Sequence, residues 1–110
     1  MTVSEFIHNT NLEVLTNPEF TDREIKGCYV GDLLSWVMGR AEQDNVWITI
    51  MSNINIVAVA ALVDMSCIVL AEGVAVEEDV IKKADEQGII ILSTPKTCYD
   101  MAIDFYNKVK

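Results

Sequence analysis

Hydrophobic positions along this chain fall into short unbroken runs, separated by longer stretches in which apolar residues recur at helical spacing. Val46-Trp47-Ile48-Thr49-Ile50, Cys67-Ile68-Val69-Leu70 and Ile89-Ile90-Ile91-Leu92 are three such runs. Their length and β-branched content suit strands buried on both faces, as parallel strands covered by helices are. Between them, Asn53–Asp64 and Glu77–Gln87 are each long enough for a crossover helix. The stretch from Val46 to Ser93 therefore reads strand, helix, strand, helix, strand. The alternation predicts an α/β fold with a mostly parallel sheet of about four to five strands, covered by helices in three layers. Residues 1–110 are expected to form a single domain.

The flanks extend this pattern. Thr2–His8 reads as a short helix, with Val3, Phe6 and Ile7 at helical spacing. Leu12–Leu15 and Ile25–Val30 read as strands joined by the polar segment Pro18–Arg23, and Gly27 is a candidate bulge. Asp32 is expected to cap a helix running to about Arg40, whose apolar face would use Leu33, Leu34, Val37 and Met38. Ser52 or Asn53 would cap the Ile54–Asp64 helix, which is apolar nearly all round. So little polar face predicts burial on more than one side, and the second side is expected to meet another subunit. The Glu77–Gln87 helix is amphipathic through Val76, Val80, Ile81 and Ala84, with Gly88 as its C′ residue. The last helix opens at either Thr94-Pro95 or Thr97, and Met101, Ala102, Phe105 and Val109 form its inner face. Tyr29, Tyr99 and Tyr106 are expected to pack.

Charge narrows the partners. Eight basic against 17 acidic residues give a net charge of -9. That balance argues against nucleic acid and against anionic membrane surfaces, both of which are bound through clustered Lys and Arg. With 51% hydrophobic residues, the chain can build a core without disulfides or metals. Its three cysteines, Cys28, Cys67 and Cys98, show no CxxC spacing, which predicts a reducing cytoplasm. The N-terminus lacks the basic and apolar segments of a signal peptide. The longest apolar stretch, Ile56–Val63, is too short to span a bilayer. A soluble cytoplasmic protein is the expectation.

Candidate chemistry is sparse. In an open α/β sheet, ligands bind at the carboxyl ends of the strands. Here those ends supply Gly31, Asp32, Ser52, Asn53, Glu72, Gly73, Ser93 and Thr94 as candidate ligand-binding residues. A phosphate or carboxylate could rest on the helix N-termini that follow, although Ser, Thr and Asn there serve equally as caps. There is no GxGxxG, GxxxxGK[ST] or GxSxG motif. With His8 as the only histidine and no clustered cysteines, no metal site, cofactor or catalytic set is expected.

The order of elements, together with particular residues, resembles the DRTGG domain family. This is the small α/β module beside the catalytic domain of HPr kinase/phosphorylase and inside CBS-containing family II pyrophosphatases. The similarity is carried by Val30-Gly31-Asp32-Leu33-Leu34, Thr49–Leu62, Cys67–Gly73 and Gly88–Thr94, within roughly Val14 to Ile103. Where the family has Gly-Asp-Arg, this chain has about Met51-Ser52-Asn53; where it has Thr-Gly-Gly, it has Ala71-Glu72-Gly73. Only Gly73 and the Gly31-Asp32 pair carry over by position. The resemblance implies a non-catalytic regulatory module, commonly a homodimer, with another protein as further partner. The alternative expectation is a sensor binding a nucleotide or other small anion at the sheet edge. An enzyme has only analogy of fold behind it.

Overall fold

The computed structural model describes residues 1–20 and 22–109. The elements run α1 (Val3–Thr10), β1 (Glu13–Val14), β2 (Gly27–Val30), α2 (Leu34–Arg40), β3 (Asn45–Thr49), α3 (Asn55–Val63), β4 (Cys67–Leu70), α4 (Glu78–Gln87), β5 (Ile91–Ser93) and α5 (Cys98–Val109). The five strands lie in the order β1-β5-β4-β3-β2, with β1 antiparallel to β5 and the other pairs parallel. This is the α/β architecture that the hydrophobic pattern predicts.

Strands β2 to β5 are each beside their sequence neighbour, and right-handed crossovers then put all three connecting helices on one face. Trp47, Ile68, Leu70 and Ile91 accordingly meet Val37 of α2, Val57 of α3 and Val80 of α4. Side chains one residue over point the other way, because strand side chains alternate. Val46, Ile48, Cys67, Val69 and Leu92 pack with Phe6 of α1 and with Met101 and Phe105 of α5. The Phe6 and Phe105 rings meet edge to face, 6.0 Å apart at 70°. Chain ends thus form one helical layer, and the sequential crossovers form the other.

This arrangement bears on three expectations. α3 is the middle helix of its layer, with α2 on one side and α4 on the other. Ile56, Val57, Val59 and Ala60 are buried within the chain, so Val59, 5% exposed, is core, while Ala58, Ala61 and Leu62 face outward, Leu62 at 72% exposure. On α2 only Val37 is buried, while Leu33, Trp36 and Met38 stand in solvent. Gly27 is not a bulge: it pairs in register with Asn45. Glycine is required there because φ is +151° and a Cβ would lie 2.9 Å from Asn45 Nδ2.

Candidate functional site

Helices α2 to α4 leave the sheet toward one face and α5 toward the other, so the direction of winding switches between β4 and β5. Ligand crevices of open sheets form at such a point. In this chain the crevice is closed by its own backbone. The Glu72 N–H donates to Lys96 O at 2.8 Å, Gly73 N–H to Thr94 O at 3.0 Å and Thr94 N–H to Leu70 O at 3.0 Å. Lys96 N–H donates to Thr94 Oγ1 at 3.2 Å. Glu72 and Gly73 reach this geometry with φ values of 61° and 64°. Glycine adopts that left-handed conformation freely, and glutamate does so at a cost.

The second half of the edge is tied together around Asp32 and Thr49. Asp32 does not cap α2, whose N-cap is Leu33 without a side-chain bond. Its carboxylate Oδ1 instead reaches across to β3, accepting from Thr49 Oγ1 at 2.7 Å and from the Ile50 N–H at 3.0 Å. Met51 N–H donates to Thr49 Oγ1 at 3.1 Å. Gly31 N–H donates to Ile48 O at 3.2 Å, and its carbonyl accepts from the indole of buried Trp47 at 2.9 Å. Neither Ser52 nor Asn53 caps α3, whose N-cap is Ile54 without a side-chain bond; Asn53 Oδ1 instead accepts from the Asn55 N–H at 2.9 Å in a local turn. Ser52 is half-buried in the same connection, and Ser93, also half-buried, pairs in register with both Glu13 and Leu70. At the start of α5 the cap is Thr97, whose Oγ1 accepts from Asp100 N–H at 3.1 Å; Thr94 serves the Lys96 turn instead.

The candidates therefore gather in two groups: Gly31 and Asp32 around Thr49, and Glu72 and Gly73 against Thr94. The Cys98 thiol is pushed up by burial and by the negative charges of Asp32 and Glu72. The nearby cation faces away from them: Lys96 Nζ lies 3.1 Å from Asp104, which Lys108 also contacts at 3.0 Å. The edge thus presents two carboxylates, with the Glu72, Gly73 and Thr94 N–H groups already donated, a poor cradle for a polyanion.

Thr49 is the residue that sequence reasoning missed. Its signal was available: a hydroxyl inside a strand buried on both faces must find partners. Around the edge, Val30, Leu33, Ile50, Ile54 and Tyr99 are exposed apolar side chains. Arg40 stacks on the exposed Trp36 ring at 3.6 Å. At the opposite end of the strands, a cleft of 280 Å³ is lined by Arg23, Asp64, Ser66 and Gln87. Arg23 there is already bonded to Asp64 at 2.7 Å and to the Met65 carbonyl, with Asp44 at 3.3 Å. Among the described residues, no cluster of His, Cys, Asp and Glu is arranged to hold a metal ion. None of their helices is long and apolar enough to cross a membrane.

The sequence profile of the DRTGG domain matches residues 5–104. Among solved structures, the chain superposes with a TM-score of 0.70 on the CBS and DRTGG domains of the regulatory region of Clostridium perfringens pyrophosphatase, complexed with its activator diadenosine tetraphosphate. Identity is 13%, and the match covers 93% of this chain but 44% of that one, so the likeness is one of fold. No curated protein matches significantly.

Proposed function

The chain belongs to the DRTGG domain family, and from that premise we propose a non-catalytic regulatory module that acts by protein contact, first of all with a second copy of itself. One observation carries this: at the strand edge Asp32, Thr49, Gly73 and Thr94 bond to one another's segments while apolar side chains turn outward, among them Val30, Leu33, Ile50, Ile54 and Tyr99. Exposed apolar surface of this kind marks interaction sites in soluble proteins. The nucleophile inventory supports a role without catalysis. Burial pushes the thiols of Cys28 and Cys67 to about 12, so neither offers a thiolate near neutral pH. All three cysteines are free, consistent with work in the reducing cytoplasm. In this reading residues 1–110 act as one DRTGG-type domain, with another protein as its further partner.

The test is native mass spectrometry of freshly purified protein, backed by sedimentation over a concentration series. A dimer without added mass is the expected result. A monomer at every concentration would overturn the self-association reading.

A second reading, a small-anion sensor, draws on the activator complex of the structural neighbour. It would place the anion near Ser52, Asn53 and Gly73. Asp32 and Glu72 oppose it by charge, and the Gly73 N–H is already donated to Thr94. A stoichiometric co-purifying nucleotide in the same spectrum would favour the sensor.

A further inference from the structure

β2 is one border of the sheet, with β3 on one side and no strand on the other. Ser66 N–H donates to Asn45 O and Ala71 N–H to Thr49 O, so the odd-numbered residues of β3 face β4. The even-numbered ones face β2, and Gly31 N–H accordingly donates to Ile48 O. In a parallel ladder alternate residues give both backbone groups to one neighbour. Tyr29 therefore bonds to β3, while the N–H and C=O groups of Cys28 and Val30 point away from it. Among the described residues, the backbone of neither bonds to any other segment. The opposite border is protected by its shortness, since β1 has two residues. β2 has four, with neither proline nor charge among them.

A wall stands over this open border. α2 follows β2 and crosses the sheet toward β3, with Val37 turned inward. Leu33, Trp36 and Arg40 follow one another at steps of three and four, so they share one flank of the helix. In a right-handed crossover, the right-handed winding of the helix turns that flank away from α3 and over the border of β2. Leu33 is 58% exposed and Trp36 51%. Arg40 lies 3.6 Å over the Trp36 ring, and among the described residues it pairs with no carboxylate.

We propose that an extended segment of another protein adds here as a further strand beside β2, its apolar side chains lying against Leu33 and Trp36 and a carboxylate at Arg40. The proposal rests on the protein-contact reading above and names the surface and the occupant for the further partner. Main-chain groups turned outward from a sheet border fix the chemistry of what covers them, which is another extended backbone. The wall fixes the side chains. Leu33 and Arg40 are separated by about 10 Å along the helix axis, and strand residues four apart span about 13 Å. Two apolar residues at alternate positions, with an acidic residue at the next alternate position, match that length. In a chain of net charge -9, an uncompensated guanidinium on the wall marks one place where a carboxylate is favoured.

Other exposed apolar groups lack such a definition. Tyr99 and Tyr106 on α5 stand in solvent, against the expectation that they pack, but no open backbone lies beside them to say what covers them. Leu62 on α3 is alone beside two alanines.

The experiment selects binders to the whole chain from a displayed library of random dodecapeptides, then titrates the synthesised peptides by NMR and amide exchange. The expected peptides share two alternate apolar residues and an acidic one, and they slow exchange of the Cys28 and Val30 amides. Contact through side chains alone would not move that exchange. Val30→Pro removes an outward N–H that the ladder does not use, and should weaken binding about 10-fold or more. Arg40→Glu, at an exposed position, should weaken the acidic peptides about 10-fold and favour versions with lysine in place of the acid. A library that yields no binder would overturn the proposal. So would binders that leave both amides unprotected, or that are indifferent to Arg40→Glu. Protection of the same amides that rises with protein concentration, without peptide, would assign the border to a second copy and also overturn it. Self-association is read separately from the mass spectrum of the free chain, so that reading stands or falls without this result.

Discussion

Replacing Asp32 by alanine separates a ligand-binding carboxylate from a structural one. Oδ1 of Asp32 accepts from Thr49 Oγ1 at 2.7 Å and Ile50 N–H at 3.0 Å, tying the β2–α2 connection to the end of β3. Hydrogen bonds to charged groups contribute ~1.5–3 kcal/mol each when partners are shielded from water. Thr49 is fully buried, so its hydroxyl loses its acceptor outright. Ile50 is exposed, and water can replace the carboxylate at its N–H. Counting mainly the Thr49 bond, the loss is ~2–3 kcal/mol. At ~4–8 °C per kcal/mol for a domain near this size, the melting temperature should fall by about 10 °C or more. Asp32→Asn, which keeps an acceptor oxygen, should lose only about 1 kcal/mol. Urea unfolding of Asp32→Ala, Thr49→Val and the double variant gives the coupling directly, expected at ~1–2 kcal/mol. If Asp32→Ala stays within ~0.5 kcal/mol of wild type and the coupling vanishes, the carboxylate is not structural. It would then be free for a ligand, and the account of this edge would be wrong.

Three further outcomes follow from the backbone and the charges. Glu72→Gly should stabilise the protein by up to ~1 kcal/mol in the same assay, because it relieves a left-handed glutamate at φ 61°. Gly27→Ala should destabilise by ~1–3 kcal/mol, since its φ of +151° is strained for alanine and the methyl meets Asn45 at 2.9 Å. Hydrogen bonds from Arg23 hold the Asp64 carboxyl below its usual value; burial opposes this, and Gln43 adds to it. A depressed carboxylate contributes stability that is present above its unfolded pKa of ~3.9 and lost as pH falls through the lower folded value. Asp64→Asn should therefore flatten the decline in stability below about pH 4, read from melting temperatures across an acid series.

The order of elements was legible because strand and helix periodicities do not overlap in this chain. Three β-branched runs and two helical spacers of adequate length leave little choice of fold class. What sequence could not carry was which neighbour each face meets. α3 reads as apolar all round, yet which of its sides meets the sheet and flanking helices, and which leaves Leu62 outside, is set by its place in the layer. Asp32 reads as a cap because local spacing is all that the sequence displays. Its partner Thr49 lies on another strand, and only the parallel β2–β3 register brings the two together. The strand-end candidates rest on fold rules alone. They do share one sheet edge, but the Glu72–Lys96 and Gly73–Thr94 bonds that close the crevice depend on how two loops meet. Tyr99 and Tyr106 misled for a different reason: an aromatic at helical spacing looks the same whether its face is inward or outward.

The two helical layers differ in how far along the chain their contacts reach. Each crossover on the α2–α4 side closes a short loop between adjacent strands, whereas the other layer joins Phe6 to Phe105, from opposite ends of the sequence. Closing the longer loop costs more chain entropy before any contact rewards it. The sequential β-α-β units are therefore expected to form the folding nucleus, with α1 and α5 docking after the barrier. Phe6→Leu should then speed unfolding and leave the refolding rate nearly unchanged, a φ-value near zero in stopped-flow chevrons. A refolding rate that falls in step with stability would put α1 inside the nucleus instead.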